Sequence, residues 1–406
     1  MSLNHLSKKA EDYLNKLCVE ISSRRVGSQG NLEATDYFAA VVKSYGFKTE
    51  SPSFDCMDWC YGDGNLRVGR ETVDVSPSPY SLGCHVRGEL VTASTVEELE
   101  GIECREKIVL LRGEITQEQL MPKNFTFYNP EPHQHIVRLL EIKNPLAIMA
   151  ATSRNPGLAG GLYPFPLIED GDFEIPSVYM KDVEGDRLAA YAGQEVTLVS
   201  EAARIPATGC NVIARRGGKE QKVVVCAHID AKIDTPGAID NGGGVVILLL
   251  LAELLVDYDG ELGVELVTFN GEDYYSAAGQ MHYLQTNQHT FDQIVLAINI
   301  DAAGYIVGKT AYSLYECPEE IAAAAHQVFS EYADIQEGEH WYQSDHMIFV
   351  QCGKPAMAIT SDKFEYLSTY ITHTEKDTPE IVDGERLANA ALGLSDLVGA
   401  LDKLIK

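Results

Sequence analysis

The sequence predicts an α/β fold in which a mostly parallel central sheet is flanked by helices and interrupted by an inserted, β-rich α/β domain. Two observations carry this prediction. From residue 205 to the C-terminus, strand-like and helix-like segments alternate, which is typical of a largely parallel sheet. Residues 57–204 instead hold short β-like runs separated by turns. At 406 residues, 45% of them apolar, the chain is long enough for two domains with separate cores.

The first 56 residues predict two helices and a strand. Apolar side chains recur at helical spacing through residues 3–22. A turn rich in Gly and Ser leads to a second helix over about 32–45, with Gly46 as its C-terminal signal. Residues 47–54 then read as a strand. We assign this part to the same domain as residues 205–406.

Residues 57–204 predict a separate, inserted domain. The segments KIVLLRG from Lys107 and EVTLVSEA from Glu195 are β-like. HQHIVRLLEIKN from His133 predicts a helix that leads into the strand PLAIMAAT from Pro145. None of the candidate site residues named below lies in this region.

The second half of the main domain predicts alternating elements. Its strands are expected near Lys222, Glu261, Ile294 and Pro355, and its helices near Val245, Ser276, Pro318, Asp345 and Thr378. In a sheet of this kind, ligands bind beyond the carboxyl ends of the strands. Polar residues that follow those strands are therefore the candidates for a functional site.

Composition and charge exclude several classes of protein. The 60 acidic residues exceed the 32 basic ones and give a net charge of −28, which argues against a nucleic-acid partner. No uninterrupted apolar run reaches the ~18 residues that a membrane helix needs. The N-terminus carries charges where a secretory signal would be apolar, and the nine cysteines are scattered. We expect a cytoplasmic protein with free thiols and no membrane partner; the sequence does not predict its oligomeric state.

The chemistry concentrates at predicted strand ends. The strand from Val223 runs into the sequence AHIDAKIDTPGAID, so that His228 and Asp230 leave the strand and Asp240 lies where the next helix begins. The following strands end in Glu272-Asp273 and in Asp301, and His373 lies in a loop before the last helix. Asp377 or Thr378 is predicted to cap that helix.

These positions predict a dinuclear metal site. The candidate ligands are His228, Asp240, Asp273, Asp301 and His373, and Glu272 is the candidate general base. Imidazole and carboxylate ligands suit zinc, and cobalt or manganese accept the same ligands. Five ligands that share one carboxylate form two three-ligand centres, each with an open position for water or substrate. Asp230 is predicted to accept the second imidazole N–H of His228 and so to fix its tautomer.

This arrangement resembles the dinuclear zinc aminopeptidase family that also includes glutamate carboxypeptidase, glutaminyl cyclase and the transferrin receptor. The segments HID, GAIDN, GED, NID and THTEKDT occur in the family's order. The resemblance implies the zinc-exopeptidase fold, two Zn²⁺ ions and Glu272 as general base. It assigns one ion to His228, Asp240 and Asp301, and the other to Asp240, Asp273 and His373.

Two further features belong to the resemblance. The segment SDHMIF from Ser344 is similar to one that lines the family's active site, which makes Asp345 and His346 candidate substrate-binding residues, although Asp345 is equally a candidate helix cap. The insertion looks like a protease-associated domain. The family most often has Glu-Glu where this chain has Glu272-Asp273, and a small hydroxyl residue is usual in place of one of the glycines after Asn241.

The resemblance implies an exopeptidase that removes N-terminal residues from peptides with a water activated by two zinc ions. A carboxypeptidase or dipeptidase on the same fold is the alternative. A carboxypeptidase needs a cation for the terminal carboxylate, and between Asp301 and His373 the chain has lysines but no Arg. The inserted domain could supply an Arg for the terminal carboxylate, such as Arg154. The complete ligand set argues against a single-zinc glutaminyl cyclase and against a non-catalytic receptor-like module.

Overall fold

Helices and strands alternate along most of the chain. We describe residues 2–21, 23–152, 166–218 and 220–405 of a computed structural model. The α-helices are α1 (Leu3–Asn15), α2 (Gln29–Ser44), α3 (Val96–Gly101), α4 (Glu131–Lys143), α5 (Asp182–Leu188), α6 (Gly243–Leu254), α7 (Ala278–Asn287), α8 (Glu319–Phe329), α9 (His346–Val350), α10 (Phe364–Tyr370) and α11 (Gly384–Leu404). The strands are β1 (Lys48–Glu50), β2 (Ser53–Val68), β3 (Glu71–Pro77), β4 (Cys84–Ala93), β5 (Lys107–Leu111), β6 (Ala147–Thr152), β7 (Ser177–Lys181), β8 (Glu195–Cys210), β9 (Val212–Arg216), β10 (Lys222–His228), β11 (Gly263–Phe269), β12 (Ile294–Ile300), β13 (Thr310–Tyr315), β14 (Ile335–Glu337) and β15 (Ala356–Ser361).

The chain divides into two compact units, one formed by residues 1–56 and 208–406 and the other by 57–207. The first unit contains an eight-stranded sheet in the order β1-β9-β11-β10-β12-β15-β13-β14. Its middle four strands, β11, β10, β12 and β15, run parallel. The mostly parallel central sheet of the predicted α/β fold is therefore confirmed.

Helix α6 forms the centre of the first unit's core. Its segment from Val245 to Leu251 is apolar on every side and completely buried. The helix packs against β10 and against α1 and α11, so this segment has no face left for polar residues. Strand β10 is likewise buried at every residue, as expected for a strand covered on both faces. This rigid centre carries His228 at one end of β10 and Asp240 just before α6.

The second unit is built on a closed barrel in the order β2-β3-β7-β6-β5-β4-β8. Its described residues include two apolar clusters, one around Leu99, Leu111 and Leu140, the other around Leu66, Leu90 and Val178. The predicted strands at Lys107 and Glu195 and the helix near His133 are present as β5, β8 and α4. Arg154 lies outside the described residues.

Several sequence predictions are corrected in detail. The expected strand over 47–54 is broken into β1 and the start of β2. The last helix begins at Gly384, with the Asp383 carboxylate accepting the N–H of Glu385 as its cap, so the predicted capping by Asp377 or Thr378 is wrong. Pro379 instead begins a short 3-10 turn, Pro379–Ile381.

Among the helices of the described part of the chain, none is both long and apolar enough to cross a bilayer. All nine cysteines are free thiols. The cytoplasmic location and the absence of nucleic-acid and membrane partners stay predictions.

Candidate metal centre

The parallel strands bring the predicted ligands to one edge of the sheet. His228 is the last residue of β10, Asp273 follows β11, and Asp301 follows β12. These three strands are neighbours, in the order β11-β10-β12. Asp240 and His373 come from the segments before α6 and after α10. Sequence reasoning placed all five at this edge, and the structure brings them together.

The ligand atoms form two groups that share Asp240. Nε2 of His228 lies 3.1 Å from Oδ1 of Asp240 and 3.6 Å from Oδ1 of Asp301. Nε2 of His373 lies 3.1 Å from Oδ2 of Asp240 and 2.9 Å from Oδ1 of Asp273. Within each group of three, the ligand atoms lie within 4.8 Å of one another. Each carboxylate oxygen of Asp240 therefore faces a different group, as a bridging ligand requires.

The donor set fits two divalent ions. Nε2 of His228 and Oδ2 of Asp273 are buried and make no hydrogen bond within the described residues. Buried polar atoms are normally satisfied, and exceptions indicate a function or an ion. Each group offers nitrogen and carboxylate oxygen in the three-ligand form of catalytic zinc sites.

Close packing of opposite charges changes the pKa values of these groups in the metal-free protein. Burial opposes the charged form of His373, but the charge of Asp273 and hydrogen bonds to Asp240 and Asp273 outweigh it and raise its pKa to about 10. The pKa of His228 is raised well above its ordinary value despite burial, mainly by the charge of Asp301. Burial would raise the pKa of Asp240, yet the two imidazoles that face its carboxylate, those of His228 and His373, lower it strongly. The imidazoles of His373 and His228 therefore hold protons that a metal ion would have to displace.

Glu272 stands beside both groups. Burial raises its pKa well above the ordinary value of a glutamate, and the negative charges of Asp301 and Asp273 raise it further, while the charge of His228 lowers it. A carboxylate with an elevated pKa next to a metal centre is suited to receive a proton.

The hydrogen-bond partners of the Asp230 carboxylate differ from the predicted one. Its carboxylate lies 3.7 Å from Nδ1 of His228, which is too far for a hydrogen bond, whereas its backbone carbonyl lies 3.2 Å from that nitrogen. The carboxylate instead accepts the backbone N–H groups of Gly271 at 2.8 Å and Asp273 at 3.0 Å. The carboxylate of Asp230 is thus a brace between two ligand-bearing segments, and the tautomer of His228 is set by a main-chain oxygen.

Asp345 and His346 are both buried. Asp345 accepts a hydrogen bond from Nε2 of Gln280 at 2.8 Å and does not cap its helix. Burial raises its pKa to about 7. Nε2 of His346 donates to the carbonyl of Trp341 at 2.9 Å, and burial lowers the pKa of the imidazole to about 4. Contact of these two residues with a substrate stays a prediction.

Sequence reasoning missed the role of two buried braces. Asp377, expected as a helix cap, accepts the backbone N–H groups of Ile239 at 2.6 Å and Asp240 at 3.0 Å. Asn241 donates from Nδ2 to the carbonyl of Ile300 at 2.7 Å, which ties Asp240 to the end of β12. The position of Asp377 in the polar segment THTEKDT was a signal, but a capping role explained that signal equally well.

Comparison with known proteins agrees with this architecture. Residues 211–398 match the model of peptidase family M28. The probable lipoprotein aminopeptidase LpqL of Mycobacterium tuberculosis is 24% identical over 310 residues, which cover 73% of this chain and 57% of that protein. Human carboxypeptidase Q is 22% identical over 233 residues, which cover 55% of this chain and 49% of that protein. The chain thus spans about half the length of these curated relatives.

The fold also has solved counterparts. The structure of BSAP, a zinc aminopeptidase from Bacillus subtilis, superposes with a TM-score of 0.74 at 18% identity, covering 98% of this chain and 95% of that one. This likeness confirms the predicted zinc-exopeptidase type of α/β fold.

Proposed function

We propose that the protein is a metal-dependent exopeptidase that releases N-terminal residues from peptides, on the premise that residues 211–398 match the model of peptidase family M28. One observation carries the proposal: two three-ligand groups share the carboxylate of Asp240, each with its ligand atoms within 4.8 Å of one another. Glu272 lies beside them at the end of β11.

We assign two zinc ions to this centre. His228, Asp240 and Asp301 would hold one, and Asp240, Asp273 and His373 the other. The solved counterpart BSAP is a zinc aminopeptidase, which supports this choice of metal. Cobalt and manganese suit the same ligands. When bound, such ions supply Lewis acidity toward a water molecule and a peptide carbonyl.

Glu272 supplies the proton transfers in this proposal. As general base, its carboxylate takes a proton from the attacking water, and as general acid it returns that proton to the leaving amine. Asp230 supports this role because its carboxylate holds the main chain of Gly271 and Asp273, the residues on either side of Glu272. The base is therefore fixed relative to the ligand that follows it.

The charged residues of the chain favour cleavage at the N-terminal end of the peptide. A free α-amine suits a site rich in carboxylates, whereas a terminal carboxylate needs a cation. Lys354 pairs with Asp292 at 3.0 Å, and Lys363 lies 3.4 Å from Asp362. Two of the three lysines between Asp301 and His373 thus already have acidic partners. The relative carboxypeptidase Q is named for release of residues from the C-terminal end of a peptide. Carboxypeptidase activity is therefore the second candidate.

We further propose that the inserted unit is a protease-associated domain. Its closed barrel with separate apolar clusters supports this assignment, as does its place between the first helices and the metal-binding half of the chain.

The test uses zinc-loaded protein and one peptide in three forms: free, N-acetylated and C-amidated. Mass spectrometry identifies the residues released. We expect loss of the first residue from the free and amidated forms and no cleavage of the acetylated form. Release from the C-terminus, blocked by amidation, would replace this proposal with the carboxypeptidase.

A further inference from the structure

The guanidinium of Arg24 is buried beneath the metal centre, with 3% of the residue exposed. It is bonded mainly to main-chain carbonyls. Nε donates to Ile229 at 3.0 Å, Nη1 donates to Leu17 and Pro236 at 2.8 Å each, and Nη2 donates to Gly237 at 2.7 Å. Its remaining hydrogen bond in the described part of the chain is to the thiol of Cys18 at 3.6 Å.

These carbonyls lie on the loop that joins two ligands. Ile229 directly follows His228, and Gly237 lies three residues before Asp240. The carbonyl of Gly237 also accepts the N–H of Gly242 at 2.8 Å, across the turn that contains Asp240. Arg24 therefore links the main chain that follows His228 to the main chain that precedes Asp240.

Asp377, another buried charged side chain, connects a different pair of ligands. The Asp377 carboxylate fastens the His373 segment to Asp240, and both of those ligands belong to the second group. Arg24 connects His228 to Asp240, and both of these belong to the first group. Both Arg24 and Asp377 hold the segment of the shared ligand Asp240, but Arg24 links it to His228 and Asp377 links it to His373.

We propose that Arg24 is a positioning residue for the centre formed by His228, Asp240 and Asp301, while Asp377 positions the one formed by Asp240, Asp273 and His373. This inference rests on the proposed metal-dependent function. It makes the N-terminal segment part of the metal site, although that segment lies outside the family match at 211–398.

Arginine suits this role for a physical reason. Its planar fork holds donors in fixed directions and stays charged, so it satisfies separate carbonyls at once. A lysine keeps the charge but offers only three donors from one atom. Substitution by Lys therefore loosens the loop without removing the cation, and substitution by Met removes the donors that Arg24 supplies to these buried carbonyls.

The experiment measures Co²⁺ affinity by absorption spectroscopy in two backgrounds of the full-length chain. Asp273→Asn keeps only the His228 centre complete, and Asp301→Asn keeps only the His373 centre complete. Loss of a residue that orients metal ligands typically costs about 10–100-fold in affinity. We expect Arg24→Lys to raise the Kd for Co²⁺ at least ~10-fold in the Asp273→Asn background and less than about 3-fold in the other. Asp377→Asn should show the reverse preference.

Arg216→Lys is the matched control. This guanidinium also donates to main-chain carbonyls, including that of Leu255 at 2.9 Å, but on a part of the first unit that carries no ligand. It should lower the thermal midpoint and leave both affinities unchanged. Arg24→Met is the more severe variant, and Arg24→Lys carries the test if Arg24→Met does not fold by circular dichroism.

The outcomes separate the two claims. Selective loss in the Asp273→Asn background supports the inference. Equal loss in both backgrounds, or no loss in either, overturns it while the metal centre stands. Failure of the unsubstituted protein to bind Co²⁺ overturns the proposed function together with this inference.

Discussion

At the scale of single residues, Glu272 should separate catalysis from metal binding. Replacing it with Gln removes the proton acceptor but no ligand, since the two groups are complete without it. We expect kcat to fall by about 10²–10⁴-fold, the usual contribution of a general base. Metal content should stay at two ions per chain, measured by elemental analysis. Glu375→Gln is the control, because Glu375 is an exposed carboxylate two residues from His373. Full activity in the Glu272 variant would assign the base elsewhere.

The imidazole ligands predict how metal binding depends on pH. Without metal, His373 has a pKa of about 10, and the pKa of His228 is also raised, so both are protonated at pH 7. Imidazole binds a metal only in its neutral form, so binding must release these protons. Affinity should therefore rise with pH from 7 to about 10.

Calorimetry in two buffers with different heats of ionisation counts the protons released. His373→Asn should release fewer than the unsubstituted protein. Zinc affinity that is independent of pH over this range would contradict the charged state that we assign to the imidazoles.

At the scale of elements, the glycines in the first turn of α6 allow the helix to approach the end of β12. A Cβ atom at Gly244 would lie 2.7 Å from the carbonyl oxygen of Ile300 and closer still to Oδ1 of Asn241. Gly244→Ala should therefore destabilise the fold by about 1–3 kcal/mol through overpacking. It should also weaken metal binding, because Asn241 ties Asp240 to the strand that precedes Asp301.

Gly399→Ala is the matched control for this prediction. A Cβ atom there meets nothing within 4 Å, and the residue lies inside α11. Alanine should be neutral or stabilising there by about 0.5–1 kcal/mol, since glycine is unfavourable inside a helix. Urea unfolding of both variants compares them. Equal midpoints would refute the close approach that we ascribe to Gly244.

The sequence predicted most elements of the first unit and the five side chains that the structure brings together in two groups, because buried parallel strands and their polar ends leave a clear pattern. It did not predict β9, β13 or β14. These strands lie on either side of the parallel core, and β9 and β13 run antiparallel to their neighbours β11 and β15. Their order in the sheet depends on tertiary contacts, which local patterns do not encode.

The braces were harder to predict than the ligands. Asp377 carried a capping signal, while the true cap is Asp383. Arg24 stands in a turn, SSRRVGSQGN, where a charged residue ordinarily indicates solvent. Its burial follows only from the approach of the loop after His228, more than 200 residues away in the chain.

At the scale of the whole molecule, the two units have separate apolar clusters, which is the usual mark of parts able to fold alone. The chain leaves and re-enters the first unit at neighbouring points, since the N–H of Asn211 donates to the carbonyl of Pro52 at 3.2 Å. A short Gly/Ser linker can therefore replace residues 57–207.

We predict that this shortened chain folds and still binds two metal ions, because every ligand and every brace named above lies outside residues 57–207. We also predict that the inserted unit limits substrate size, so its removal should raise the rate on long peptides relative to a dipeptide. The measurements are metal content and the ratio of kcat/KM for the two substrates. The control is the shortened chain with Glu272→Gln, which must bind metal and remain inactive on both. If the shortened chain binds two ions and the ratio of the two kcat/KM values is unchanged, the inserted unit does not limit substrate size. If the shortened chain loses the ions, the first unit depends on the insertion for its fold.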